Sequence, residues 1–281
     1  MTFHLDRFSL ESFVDATLAE DLGEGGDITS KAVIPADARF TGVMRSREEM
    51  VVAGLPIAAA VFRKLDSDAE VEQLKEDGES AGTGDILLRV TGNARALLTA
   101  ERSALNTVQH LSGVATLTRR YVEAIAGTGC TLLDTRKTIP GLRVLEKYAT
   151  RMGGAQNHRM RLDDAAMIKD NHVAVAGGIE EAVRRAVAAR IVRIIVEVDH
   201  LDQIEPALAA GATHLLLDNM GTAALREAVA QVAGRVPTEA SGGVTLETIR
   251  ASAETGVTYI SVGKITQSAP AVDIGLDFAA A

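Results

Sequence analysis

After Cys130 the chain settles into a repeating two-part pattern, and this limits its fold more than any other feature. Short apolar runs end in a polar or charged residue, and amphipathic helical segments lie between most of them. The runs cover residues 131–134, 166–169, 194–198, 214–218, 237–240 and 259–262. They are apolar along most of their length rather than at every second position, which marks strands buried on both faces. Segments such as 179–190 and 223–232 have helical apolar spacing and supply the crossovers that parallel strands need. The pattern predicts an α/β fold with a parallel sheet. The number of units favours a β/α barrel, incomplete with fewer than eight strands, over an open sheet.

The residues before this region read differently. Ser9 is placed to cap a helix with Leu10, Phe13, Val14, Thr17 and Leu18 at helical spacing. The glycine cluster at 23–26 ends that helix. No strand precedes the cluster, so it lacks the context of a dinucleotide-binding loop. Residues 40–52 and 71–90 read as strands, with turns at Asp77-Gly78 and Gly82-Thr83-Gly84. Residues 55–65 read as a helix with Pro56 in its first turn, where a missing N–H does no harm. This is an α+β unit with several antiparallel strands. From Ala94 to Ala126 the pattern is helical, and Gly113 is a candidate break.

Charge narrows the ligand class. The 281 residues carry 29 Lys+Arg against 38 Asp+Glu, a formal net charge of -9. Yet the segment 136–169 holds cations at 136, 137, 143, 147, 151, 159, 161 and 169 against only Glu146, Asp163 and Asp164. A basic excess inside an acidic chain points to a small, highly anionic ligand rather than to nucleic acid or a membrane surface. The single cysteine, Cys130, reads as a small buried hydrophobe and fits a reducing cytoplasm. No basic-then-apolar leader is present at the N-terminus, and no apolar run approaches the ~20 residues of a membrane span.

In barrels the chemistry collects at the C-terminal ends of the strands. Here those ends carry residues 134–137, 169–172, Glu197 with Asp199, Asp218-Asn219, residues 239–243 and Gly263. One group is cationic: Arg136, His158, Arg159 and Lys169. Fixed guanidinium donors suit a planar ligand bearing two carboxylates. A second group is acidic: Glu197 and Asp218, on consecutive predicted strands. One or two carboxylates suffice for Mg2+ when a diphosphate supplies further oxygens. Ser241-Gly242-Gly243 and Gly263 follow the last two strands, where exposed backbone N–H groups can cradle a phosphate. Together these suggest glycosyl transfer from a phosphoribosyl diphosphate. The plainer reading is that βα loops are polar anyway. Arg143 and Lys147 are read as decorating a solvated helix face, and His200 and His214 as structural.

Several long motifs go further. They are EDLGEGGDIT at 20–29, AERSALNTVQHLSGVAT at 100–116, DTRKTIPGLRVLEKY at 134–148 and YATRMGGAQNHRMRLDDAAMIKDNH at 148–172. Glu197-Val198-Asp199, Leu217-Asp218-Asn219-Met220, Ser241-Gly242-Gly243 and YISVG at 259–263 complete them. Over nearly all its length the chain resembles the quinolinate phosphoribosyltransferases, the carboxylating nicotinate-nucleotide pyrophosphorylases. The resemblance implies an N-terminal α/β sandwich domain at 1–112 and a barrel at 113–267, with the tail 268–281 returning to the first domain. It implies a homodimer whose sites are shared between subunits. It also implies transfer of phosphoribose to quinolinate, with Mg2+, giving nicotinate mononucleotide, CO2 and diphosphate.

Carried onto this sequence, the resemblance assigns Arg136, His158, Arg159 and Lys169 to quinolinate, with Arg102 arriving from the partner subunit. Lys137, Glu197 and Asp218 are assigned to phosphoribosyl diphosphate and Mg2+, and Ser241, Gly242, Gly243 and Gly263 to the 5′-phosphate. Lys137, Lys169, Glu197 and Asp218 are the catalytic candidates. Departures from the family pattern occur at Thr150, Ala155-Gln156, Arg161, Lys264 and Gln267. Arg161 and Lys264 each add a cation near an expected anion site. These departures leave room for a relative acting on another heteroaromatic carboxylate. A Schiff-base barrel enzyme using Lys169 and a non-catalytic nucleotide sensor are the rival classes.

Overall fold

The structure is a computed structural model that describes residues 4–278. Its elements begin with α1 (Leu10–Leu22), α2 (Ile28–Val33), β1 (Arg39–Ser46), β2 (Met50–Val51) and α3 (Leu55–Leu65). Next come β3 (Glu70–Gln73), β4 (Ser80–Ala81), β5 (Ile86–Asn93) and α4 (Ala94–Ala124). The strand–helix alternation then runs through β6 (Thr131–Leu133), α5 (Arg143–Met152), β7 (Ala166–Ile168), α6 (Asp170–Ala176) and α7 (Ile179–Ala188). It continues with β8 (Ile194–Val198), α8 (Ile204–Ala210), β9 (His214–Asp218), α9 (Thr222–Val232), β10 (Thr238–Ser241) and α10 (Ile249–Ala253). The last elements are β11 (Tyr259–Ser261), α11 (Lys264–Gln267) and β12 (Ile274–Phe278).

The chain forms two compact units. The first runs to Leu117 and adds Val144–Gly154 and the chain from Ala269 onward. Its four-stranded antiparallel sheet has the order β12-β1-β5-β3. The buried side of that sheet, including Met44, Leu88 and Val90, packs with Phe62 of α3 and with Leu97, Leu105 and Val108 of α4. The local signals act as written: the Ser9 side chain accepts from Ser12 N–H at the start of α1, and Gly23 closes the helix with φ 51°.

Gly113 does not break α4, which runs unbroken from Ala94 to Ala124. A Cβ at position 113 would lie 2.0 Å from the Pro270 carbonyl oxygen, so the glycine makes room for the returning tail. Within α5, Lys147 is fully buried beside Leu145, Glu146, Ala149 and Thr150. The expectation that it decorates a solvated face is therefore corrected. The buried side of α5 is broad and takes polar groups as well, with Glu146 accepting from His110 Nε2 at 2.9 Å.

The second unit comprises Thr118–Arg143 and Ala155–Ser268. All six of its strands are parallel, in the order β6-β11-β10-β9-β8-β7. The first strand in sequence lies beside the last, and the rest follow one another. That is the cyclic order of a barrel rather than the reversing order of a doubly wound sheet. No β6–β7 pairing closes the ring among the described residues, so the barrel is incomplete, with six strands. At the β6 margin Gln156 forms an isolated parallel bridge with Leu133. β8 and β9 are buried almost throughout, as their continuous apolar runs require.

Candidate active site

The residues that follow the barrel strands converge on one cavity of about 360 Å³. Asp134, just after β6, is fully buried and organises the neighbouring loop. One of its oxygens accepts from the His158 backbone N–H at 2.8 Å and the other from Asn157 Nδ2 at 2.6 Å. The loop carrying His158 and Arg159 is thus held against β6 by a carboxylate and by the Gln156 bridge. Arg159 extends from that loop and donates through Nη1 to the Ala165 carbonyl at 3.0 Å.

Arg136 and Arg159 both line the cavity. Burial, and then the nearby Arg136 charge, depress the Arg159 pKa, with Asp164 acting weakly the other way. Neither guanidinium makes a salt bridge among the described residues, and Arg136 Nε is buried without a hydrogen-bond partner. Two confined like charges with an unmet donor form a receptor for an anion.

Lys169, after β7, forms a close ion pair with Glu197 near the end of β8. Asp218, the last residue of β9, accepts from Asn219 Nδ2 at 2.6 Å. Lys137 and Ser241 line the cavity as well. A second cavity of about 230 Å³ shares Thr135, Lys137, Ser241 and Ser261 with the first and adds Gly242, Gly243 and Gly263. Gly242 is needed twice over, because its φ is +95° and a Cβ there would lie 2.1 Å from Asn219 Oδ1. At Gly263 a Cβ would meet Lys137 Cδ at 2.9 Å, so the lysine stem passes directly over that glycine.

Of the residues singled out from the sequence, Arg136, Lys137, His158, Arg159, Lys169, Glu197, Asp218 and Ser241 share the first cavity. Gly242, Gly243 and Gly263 fall in the second. Arg102 is exposed on α4 in the other unit and lines neither. Arg161 is tied to Asp163 and Asp164 at 3.2 and 3.7 Å and so is not an uncommitted cation. Arg143 binds the loops rather than solvent, donating to the Thr138 hydroxyl and to the carbonyls of Met160 and Arg136.

Glu239, in β10, read from the sequence as a strand-end residue with no assigned role, lies in the cavity wall. It is fully buried, 3.2 Å from His158 Nε2 and 3.0 Å from His214 Nε2. The His214 contact is close but poorly aligned for a hydrogen bond. Burial alone would raise the Glu239 pKa, but the two histidines, with a smaller contribution from Ser261, hold it down at about 2. His158 Nδ1 accepts from the Arg159 backbone N–H at 2.7 Å, so its proton belongs on Nε2, facing Glu239. His214, which had no partner in sequence, also stacks on Tyr259 with ring centroids 5.7 Å apart. The strand-end position of Glu239 was readable. Its inward direction and its partners from two other segments were not.

Comparison with known proteins agrees in both halves. Residues 27–112 match the family described as quinolinate phosphoribosyl transferase, N-terminal domain, and residues 114–277 match its C-terminal domain. A nicotinate-nucleotide pyrophosphorylase (carboxylating) of Mycobacterium leprae (strain TN) is 46% identical over 269 residues, covering 92% of this chain and 94% of its own. A probable nicotinate-nucleotide pyrophosphorylase (carboxylating) of Bacillus subtilis (strain 168) is 39% identical over 275 residues, covering 97% and 94%. Among solved structures, the nicotinate-nucleotide pyrophosphorylase of Ehrlichia chaffeensis superposes with a TM-score of 0.93 at 38% identity, over 97% of this chain and 100% of that one.

Proposed function

The chain belongs to the quinolinate phosphoribosyl transferase family, and from that premise we propose how its cavity carries out the family's reaction. The reaction transfers phosphoribose from phosphoribosyl diphosphate to the ring nitrogen of quinolinate, with loss of CO2 and diphosphate, and serves NAD synthesis. The observation that carries this reading is the pair Arg136 and Arg159. They are confined together, without a carboxylate partner among the described residues, and one buried donor is unmet. A pyridine dicarboxylate supplies the acceptors they lack.

In this reading Lys169 contacts a quinolinate carboxylate while it stays in reach of Glu197. His158 forms part of the wall against the ring, its orientation fixed by Glu239 and by the Arg159 amide. Glu197 and Asp218 lie where positive charge develops at the ribosyl carbon as diphosphate departs, and their charge favours that state. Attack by the ring nitrogen makes the ring cationic, and the adjacent carbon can then shed its carboxylate as CO2, the electron pair left on that carbon being stabilised by the cationic nitrogen and then taking up one proton. The arginines hold the dianion in register, but only contacts that strengthen along this path raise the rate.

Two carboxylates at adjacent strand ends, completed by diphosphate oxygens and water, match what Mg2+ requires. Glu197 and Asp218 would hold the ion, which would supply charge neutralisation for the leaving diphosphate. Lys137 would meet the sugar diphosphate between the two cavities, and Ser241, Gly242, Gly243 and Gly263 its 5′-phosphate. The working form is a homodimer in the cytoplasm, with Arg102 reaching the partner's cavity. No helix among the described residues is long and apolar enough to cross a membrane.

Family membership disfavours the Schiff-base alternative for Lys169. The direct test is release of CO2 and diphosphate by the purified protein from quinolinate plus phosphoribosyl diphosphate. Turnover with quinolinate and none with nicotinate is expected. Turnover of nicotinate alone would overturn the substrate assignment.

A further inference from the structure

The smaller cavity contains a cation to which the proposed reaction gives no part. Lys264 follows Gly263 at the head of α11 and lines this cavity together with Lys137. Both side chains belong to exposed residues, and neither ammonium makes a hydrogen bond or ion pair among the described residues. Lys264 does act electrostatically on Glu247. That carboxylate is held below its ordinary range mainly by hydrogen bonds, first from Thr245, and Lys264 contributes least. Arg161 presents the opposite case, being neutralised locally by two aspartates.

The backbone facing the two lysines is also short of partners. Gly242 and Gly243 have φ of +95° and +61°, and their N–H groups donate to no backbone carbonyl among the described residues. The Thr266 hydroxyl donates to the Lys137 carbonyl at 2.6 Å and ties the α11 segment to the loop bearing the other cation. Two uncommitted ammonium groups and uncommitted amides therefore line a cavity of about 230 Å³ that shares Thr135, Lys137, Ser241 and Ser261 with the larger one.

We propose that Lys264 is a second phosphate-binding cation, which with Lys137 and the Gly242 and Gly243 amides takes the terminal phosphate monoester of the sugar substrate as its dianion. This rests on the function proposed above and deepens it. A phosphate monoester carries about −1.5 to −2 charge at pH 7. One ammonium leaves that charge half met, whereas two match it. The consequence is a site that holds phosphorylated sugars, and inorganic phosphate itself, with a steep dependence on salt.

The experiment uses the full chain and Lys264→Ala. Calorimetric titration with inorganic phosphate is combined with steady-state kinetics in both substrates, and Lys264→Arg is the conservative control. Lys264→Ala is expected to weaken phosphate binding and raise KM for the sugar diphosphate by about 5- to 20-fold, the range of one charge-assisted contact at a partly screened site. Quinolinate KM and kcat are expected to change less than about twofold, since uniform binding is what is lost. The arginine variant should restore most of the affinity. If the wild type turns over quinolinate and Lys264→Ala matches it in both phosphate affinity and sugar-diphosphate KM, the inference fails and the reaction stands. If phosphate binding depends on Lys264 but no CO2 is released from quinolinate, the subsite stands and the reaction fails.

Discussion

At the scale of single residues, Glu239 shows how a buried charge can be both a structural commitment and part of a site. Its carboxylate is fully buried and lies within 3.2 Å of two histidine nitrogens. The folded pKa of about 2 lies below the ordinary value near 4.3 for an unfolded chain. A depressed carboxylate contributes stability that is present above the unfolded pKa and lost as pH falls through the folded one. The difference corresponds to roughly 3 kcal/mol. Glu239→Gln keeps the shape and one acceptor but removes the charge. The variant should be less stable than wild type at pH 7, and the gap should close between about pH 5 and pH 2 in urea unfolding. A gap that does not change with pH would show that the charge is not what matters. The cations and acids at strand ends were legible because barrel topology alone picks out those positions. The Glu239 cluster was not, because His158, His214 and Glu239 are joined only by tertiary packing.

At the scale of elements, periodicity did well where one face of an element decides its fate. The helix read at 55–65 is α3, and each of the six apolar runs overlaps one barrel strand. It failed where a distant segment sets the requirement. Gly113 reads locally as a helix break, and local propensity alone would make alanine better there by about 1 kcal/mol. The Pro270 carbonyl, 2.0 Å from where a Cβ would sit, reverses that expectation. Backbone cannot yield as a flexible side chain can, and overpacking of this kind costs about 1–3 kcal/mol. Gly113→Ala should therefore lower the urea midpoint and speed proteolytic removal of the tail containing β12. A variant more stable than wild type would mean that the tail does not approach α4 so closely. Lys147 escaped the sequence reading for a related reason: charge patterning suggests a solvated face, and only packing shows that face to be covered.

For the whole molecule, the apolar runs made a barrel legible, whereas periodicity and charge say nothing about how many chains complete a site, and the shared dimer is implied by the family resemblance alone. The second unit leaves Leu162, Val175 and Val192 at 70%, 90% and 88% exposure. Arg102 lies in the first unit and lines neither cavity of the second. If a symmetric dimer shares its sites, defects in Arg102 and in Lys169 must complement each other. Arg102→Ala and Lys169→Ala should each be nearly inactive as pure proteins. Co-expressed in equal amounts, they assort so that half the dimers are mixed, and each mixed dimer has one site free of both defects and one site with both. About a quarter of all sites are then intact, so activity should return to about a quarter of wild type. If Arg102 instead serves the cavity of its own chain, every site in every dimer carries at least one defect, and mixing restores nothing. Sedimentation of the same samples separates that outcome from a failure to associate, since the mixed dimer must be present for the missing activity to count against a shared site.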